Sequence, residues 1–172
     1  MDRTRRERPR IEIANSTLSN NSGLIVCHFD GACVYQRRAS CGAVIRRDGR
    51  VIWRASQPVL DRGTGLTCNV AEYAGLLLVL NYLIDHGLNH ERILIVGDSM
   101  LVIKQAFGRW RIKNGCYVAL AHEAKQLLTQ FPNITGKWVP REYNSAADRL
   151  SKAAGIESRR ERQRWRERQR ID

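Results

Sequence analysis

Residues 24–56 read LIVCHFDGACVYQRRASCGAVIRRDGRVIWRAS, and this stretch decides the architecture. Apolar runs at its start, middle and end are strand-like, and Asp48-Gly49 separates the second from the third. An Asp-Gly pair tolerates the positive backbone angles of a two-residue hairpin loop, so those two runs pair antiparallel. Three antiparallel strands therefore open the domain.

Downstream, residues 69–86 (NVAEYAGLLLVLNYLIDH) place apolar side chains all round a helix of about five turns, with Gly87 as its stop. Such a helix packs on more than one side. RILIVGD (92–98) is almost continuously apolar, the mark of a buried strand, and SMLVIKQAF (99–107) has helical spacing. Residues 116–130 form an amphipathic helix, ITGKWVP (134–140) a strand ended by Pro140, and NSAADRLSKAAG (144–155) a short helix closed by Gly155. The predicted order is βββαβα(α)βα. A chain of 172 residues with 43% hydrophobic content supports one domain.

The flanks differ in kind from this core. Residues 1–22 join an Arg-rich decapeptide to a run of Asn, Ser and Thr and read as a disordered basic arm; 157–172 is an Arg-rich tail with Trp165 as its large apolar residue. The domain expected between them is 23–156. Net charge is +12, of which residues 1–10 and residues 157–172 carry +3 each. That excess favours a polyanionic partner, nucleic acid first, through phosphate neutralisation and counterion release.

Five cysteines, Cys27, Cys33, Cys41, Cys68 and Cys116, are odd in number and form no CxxC pair, which suits reduced thiols in an intracellular protein. No secretory leader or membrane span is expected, because the apolar stretch around 74–80 is interrupted at Asn81. A cytoplasmic monomer is the expectation.

Four acids stand out. Asp30 and Asp98 end or nearly end apolar strands, while Glu72 and Asp148 fall in the first turns of helices, so all four are expected at one edge of a sheet. Singly, each has a plainer reading: Asp30-Gly31 as a turn, Glu72 as the far half of a capping box from Asn69, Asp98 as a helix N-cap. Together, the carboxylates repel one another unless a hard cation neutralises them, and an all-oxygen cluster selects Mg²⁺ or Mn²⁺ over zinc.

FDGA (29–32), N-x-A-E-Y (69–73), GDS (97–99) and N-x-x-x-D (144–148) occur in the order found in type 1 ribonucleases H, and residues 24–156 resemble that family. The resemblance implies an α/β fold: a mixed five-stranded sheet, three strands antiparallel and then two parallel, with helices on both faces. It implies an endonuclease that cleaves the RNA strand of RNA–DNA hybrids by a two-metal-ion mechanism, leaving 5′-phosphate and 3′-hydroxyl ends. Asp30, Glu72 and Asp98 would hold the metals, with Asp148 completing one site.

Neighbouring residues are expected to meet substrate. These are Gly31 and Ser99 within the motifs, Thr67 and Cys68 in the loop before the long helix, Asn69 at its N-terminus, Trp110, Arg141 and Asn144. Asn69 matches a family residue that contacts substrate, with a plain helix cap as the alternative. Trp110 is flanked by Arg109, Arg111 and Lys113 and reads either as a nucleic-acid contact or as half-buried packing; Trp53, Trp138, Tyr73 and Tyr82 are expected in the core.

Departures from the family touch grip and release rather than the acids. CVYQRRAS replaces a Gly-rich hairpin, with Arg37 and Arg38 at its tip, and Cys68 stands where the family often has an amide. Many bacterial members carry a histidine before the last helix, whereas His28, His86, His90 and His122 lie elsewhere, leaving Arg141 or Glu142 for that place. Arg141 cannot titrate near neutrality and would hold a phosphate instead. The short span after Trp110 leaves no room for a basic helical protrusion, which resembles the archaeal-like subgroup. Two alternatives remain: a basic module that binds nucleic acid without cutting, and a nuclease acting on double-stranded RNA or another substrate.

Overall fold

The computed structural model describes residues 23–34, 38–61, 63–108 and 110–154; the expected N-terminal arm, Arg-rich tail, Arg37, Arg109 and Gly155 lie outside these. Strands β1 (Ile25–Val34), β2 (Arg38–Arg47) and β3 (Arg50–Val59) form an antiparallel meander. Its second turn is the predicted Asp-Gly pair, with φ of 50° at Asp48 and 79° at Gly49. The Asp48 carboxylate also accepts from the Gly23 amide at 2.8 Å, tying the start of β1 to the hairpin.

Helix α1 (Cys68–Asp85) follows, then β4 (Ile93–Gly97), α2 (Met100–Ala106), α3 (Val118–Leu128) and β5 (Ile134–Trp138). A 3₁₀ turn over Arg141–Asn144 leads into α4, residues 145–154. The sheet order is β3-β2-β1-β4-β5, with β4 parallel to both β1 and β5. β4 is nearly all apolar because it is central and covered on both faces.

Alternation in β1 sends Ile25, Cys27 and Phe29 into the main core against α1, and turns His28 and Asp30 to the opposite face, beneath the 3₁₀ turn and α4. Apolar residues all round α1 are explained by its neighbours: it packs on β1, β2, α2 and α3. The crossing of α1 over β1 is very close. A Cβ at Gly31 would lie 2.2 Å from the Glu72 amide nitrogen, and one at Gly75 would lie 2.9 Å from the Asp30 carbonyl oxygen. Glycine is required there for backbone approach.

Between α2 and α3 there is no helix among the described residues, in line with the expected absence of a protrusion. Among the described residues β3 is an open edge, with Val51 and Ile52 exposed beside Arg50 and Arg54, and Pro58 near its end. The five cysteines form no disulfide among the described residues. Among the described residues, no helix is long and apolar enough to cross a membrane.

Candidate active site

β1 and β4 run side by side only as far as the His28–Val96 pair. Asp30 lies two residues beyond that pair in mid-strand, held by continued pairing with β2, and Asp98 follows the last residue of β4. The gap where the strands part is filled by Glu72, which the close crossing at Gly31 delivers from the second turn of α1 rather than the first. Carboxylate oxygens of Asp30, Glu72 and Asp98 lie within 4.8 Å of one another.

The expected convergence of four acids is thus met by three. Asp148, on α4, has both oxygens engaged elsewhere: one accepts from Arg141, whose Nε is 3.0 Å away and whose Nη2 also bonds to it, and the other from the Lys152 ammonium at 2.6 Å. Its charge is still felt at Asp30. Burial pushes the Asp148 carboxyl up, but the hydrogen bonds and charges of Lys152 and Arg141 outweigh that and hold it below its usual range.

Two of the clustered acids, Glu72 and Asp30, are shifted in the opposite sense. Burial, aided by the charges of Asp30 and Asp98, pushes the Glu72 carboxyl up to about 9, against a hydrogen bond from the Gly31 backbone. Its Oε2 is buried with no hydrogen-bond partner among the described residues. Asp30 is pushed up to about 6, by burial first and then by Asp98 and Asp148, with a hydrogen bond from the Ser151 hydroxyl and the charge of Arg141 opposing. A buried acceptor without a donor, among crowded carboxylates, fits a hard divalent cation bound through oxygen.

The helix caps free the acids. The Thr67 hydroxyl accepts from the Val70 amide at 3.2 Å and caps α1, so Asn69 is neither the cap nor the start of a capping box. Ser99 caps α2 through the Val102 amide at 3.4 Å, which removes the plainer reading of Asp98 as the cap. Cys68 is exposed at the first position of α1 and Asn69 is half-buried next to it, both in the first turn that leads to Glu72.

Trp110 is 48% exposed, with about half of its surface open to solvent. Its loop is anchored from below: the Trp110 amide donates to the Lys104 carbonyl at 3.2 Å, and the Gln105 amide donates to the Arg111 carbonyl at 2.9 Å. Gln105 is itself buried and accepts from the Tyr73 hydroxyl at 2.8 Å. Tyr73 is in the core as expected, and Trp53 stacks on Tyr82 with ring centroids 4.2 Å apart.

Two expectations are corrected. Asn144 is 1% exposed and does not face substrate; its amide donates to the Asp98 carboxylate at 2.6 Å and to the Phe29 carbonyl at 2.8 Å, so it holds Asp98 in place. Trp138 is 38% exposed rather than core, because it ends the edge strand β5, and its indole N–H donates to the Asp98 carbonyl at 3.0 Å. Sequence reasoning also missed His28, whose Nδ1 is 3.1 Å from Asn144 Oδ1, and Ser151, one turn after Asp148. A polar residue on the strand face opposite the core was the one available signal for His28.

Residues 28–154 match the family model described as Reverse transcriptase-like. The chain is 37% identical over 114 residues to the Bifunctional protein Rv2228c of Mycobacterium tuberculosis, covering 62% of this chain and 30% of that protein. It therefore spans well under half of the mycobacterial relative. Ribonuclease HI of Halobacterium salinarum is 33% identical over 141 residues, covering 78% of this chain and 66% of that protein. Among solved structures, the N-terminal RNase H domain of the mycobacterial protein superposes with a TM-score of 0.71 at 31% identity, over 81% of this chain and 99% of that one. RNase H1 of Halobacterium salinarum gives 0.70 at 31% identity, over 78% and 99%. LC11-RNase H1, solved in complex with RNA/DNA hybrid, gives 0.70 at 25% identity, over 78% and 98%. Sheet order, the acidic edge and these likenesses agree, and the chain belongs to the type 1 ribonuclease H family.

Proposed function

We propose that this chain is an endonuclease hydrolysing the RNA strand of RNA–DNA hybrids, with two Mg²⁺ ions (or Mn²⁺) engaged when substrate is bound, leaving 5′-phosphate and 3′-hydroxyl ends. The observation that carries the proposal is the cluster of Asp30, Glu72 and Asp98 oxygens within 4.8 Å, with Glu72 Oε2 buried and without a hydrogen-bond partner among the described residues. Likeness to RNase H1 proteins, one of them solved with RNA/DNA hybrid, supports the choice of substrate.

In this reading Asp30, Glu72 and Asp98 would hold the cations, and Asp148, paired here with Arg141 and Lys152, would complete one site. Bound Mg²⁺ supplies activation of water for in-line attack and neutralises charge on the departing 3′ oxygen. The protein's own residues do the positioning. Asn144 and Trp138 fix Asp98 from two sides, and Ser151 fixes Asp30. The backbone at Gly31, Thr67 with Cys68 and Asn69 in the first turn of α1, and Ser99 are the groups assigned to substrate, where amides and hydroxyls would meet phosphate and 2′-hydroxyls. Trp110, with Arg111 and Lys113 exposed nearby, lies along the backbone of the hybrid. Arg141, released from Asp148, holds the phosphate as a fixed charge.

Labelled RNA–DNA hybrid incubated with the chain and Mg²⁺ tests the proposal, with Asp98→Asn as control. RNA-strand cleavage by the native chain, lowered at least about a thousandfold in the variant, is expected, as for loss of an electrostatic group at a reacting phosphate. No cleavage, or equal cleavage by both, defeats it. Parallel reactions with double-stranded RNA and with Mn²⁺ define substrate class and metal preference.

A further inference from the structure

We infer that His28 is a positioning residue: its Nδ1–H fixes the Asn144 amide, and through it the Asp98 carboxylate. The inference rests on the proposed reading of Asp98 as a metal ligand, and it concerns a histidine outside the loop where family members carry theirs.

Donors and acceptors determine the arrangement. Asn144 Nδ2 lies 2.8 Å from the Phe29 carbonyl oxygen and 2.6 Å from Asp98 Oδ1. Both partners only accept, so the amide nitrogen, with its two protons, must face them; the flipped amide would set oxygen against oxygen. Asn144 Oδ1 then points the other way and requires a donor, and the group it meets is His28 Nδ1 at 3.1 Å. His28 must therefore carry a proton on Nδ1.

The topology explains why a histidine suits this position. His28 pairs with Val96 across β1 and β4, at the last rung before the strands part around the acids. It lies on the sheet face that carries Asp30 and is covered by the 3₁₀ turn bearing Asn144. One part-buried chain thus runs from His28 to Asn144 to Asp98, and the same amide ties the turn to β1 through Phe29. Without the imidazole donor, Asn144 Oδ1 is a buried acceptor with no partner, and the amide gains freedom to rotate off Asp98.

Two measurements on the full chain test this. Long-range ¹H–¹⁵N spectra report the tautomer directly: His28 with Nδ1 protonated is expected, and a ring protonated on Nε2 alone overturns the inference whether or not any variant folds. Calorimetric Mn²⁺ binding and hybrid kinetics are then compared for His28→Leu and His28→Asn, the second placing an amide donor near the position of Nδ1. Leucine is expected to weaken Mn²⁺ binding and lower kcat about tenfold, with KM for hybrid unchanged, and asparagine to recover most of both. Leucine binding Mn²⁺ as the native chain does, or asparagine failing as badly as leucine, overturns it. If the native chain binds Mn²⁺ and shows the expected tautomer but cleaves no hybrid, the proposed function falls and the positioning role stands.

Discussion

Glu72 is the residue on which the chemistry and the stability of the molecule meet. Its carboxyl is pushed from an ordinary value up to about 9 by burial and by two acidic neighbours, so without metal the folded state keeps a proton that the unfolded chain releases above about pH 4.5. A raised carboxyl pKa therefore makes metal-free stability fall as pH rises between those limits, and Asp30, raised to about 6, adds to the fall in the lower part of the window. Glu72→Gln, which keeps the shape and removes the titration, is expected to stabilise the metal-free protein at pH 8 by about 2 kcal/mol, and by little at pH 5. Urea denaturation at the two pH values checks this; no difference between native and variant at pH 8 would contradict it. Mg²⁺ is expected to raise the stability of the native chain but not of Glu72→Gln. The acids themselves are readable in the sequence, because each closes a short motif. Their partners are not: Asn144 and His28 are 116 residues apart, Ser151 and Asp30 121, and no local pattern encodes a hydrogen bond across that distance. The sequence sends Asn144 toward substrate for the same reason, since a motif gives a residue's neighbourhood but not the direction of its side chain.

At the level of elements, the crossing of α1 over β1 is the contact on which the acidic cluster depends. Gly31→Ala puts a methyl 2.2 Å from the Glu72 amide nitrogen and 2.3 Å from the Ala71 carbonyl carbon, both backbone atoms that no rotamer change can relieve. We expect destabilisation by about 3 kcal/mol, at the upper end of ordinary overpacking, with divalent-cation affinity falling as well because relief requires α1 to withdraw Glu72 from Asp30. A thermal melt with and without Mn²⁺ measures both. Gly49→Ala, at a position with nothing within 4 Å, is the contrasting case in which backbone conformation alone is disturbed. Strands and helices are legible here because hairpin chemistry, the β4 run and the α1 pattern are local signals. Caps are less so: Thr67 and Ser99 perform the capping that the sequence equally suggests for Asn69 and Asp98, and only backbone geometry separates such neighbours. Trp138 reads as core in the sequence because its strand is apolar in part, yet β5 is the sheet's last strand and its burial fades toward solvent.

On the scale of the whole molecule, charge and edges set how the domain meets other molecules. Residues 1–22 and 157–172 carry a large share of the +12 charge, and their proposed role is to hold phosphate. Residues 23–156 alone are expected to cleave saturating hybrid at the rate of the full chain but to bind it more weakly, with a shallower dependence of affinity on salt by about 0.9 in log–log slope for each phosphate no longer neutralised. Fluorescence anisotropy across salt concentrations decides this, and an unchanged slope removes the flanks from the substrate. The open edge of β3 has a different consequence. Unpaired backbone beside exposed Val51 and Ile52 is a template on which another strand can grow, and Arg50, Arg54 and Pro58 occupy that same edge. Two copies meeting there set arginine against arginine, and Pro58 offers no amide proton to a new neighbour. Replacing Arg54 and Pro58 together by valine is expected to produce concentration-dependent association, visible by light scattering, beyond any shown by the native chain. Arg50, Arg54 and Pro58, with no part in catalysis, thus bear on whether the protein stays in solution while its helices and sheet assemble.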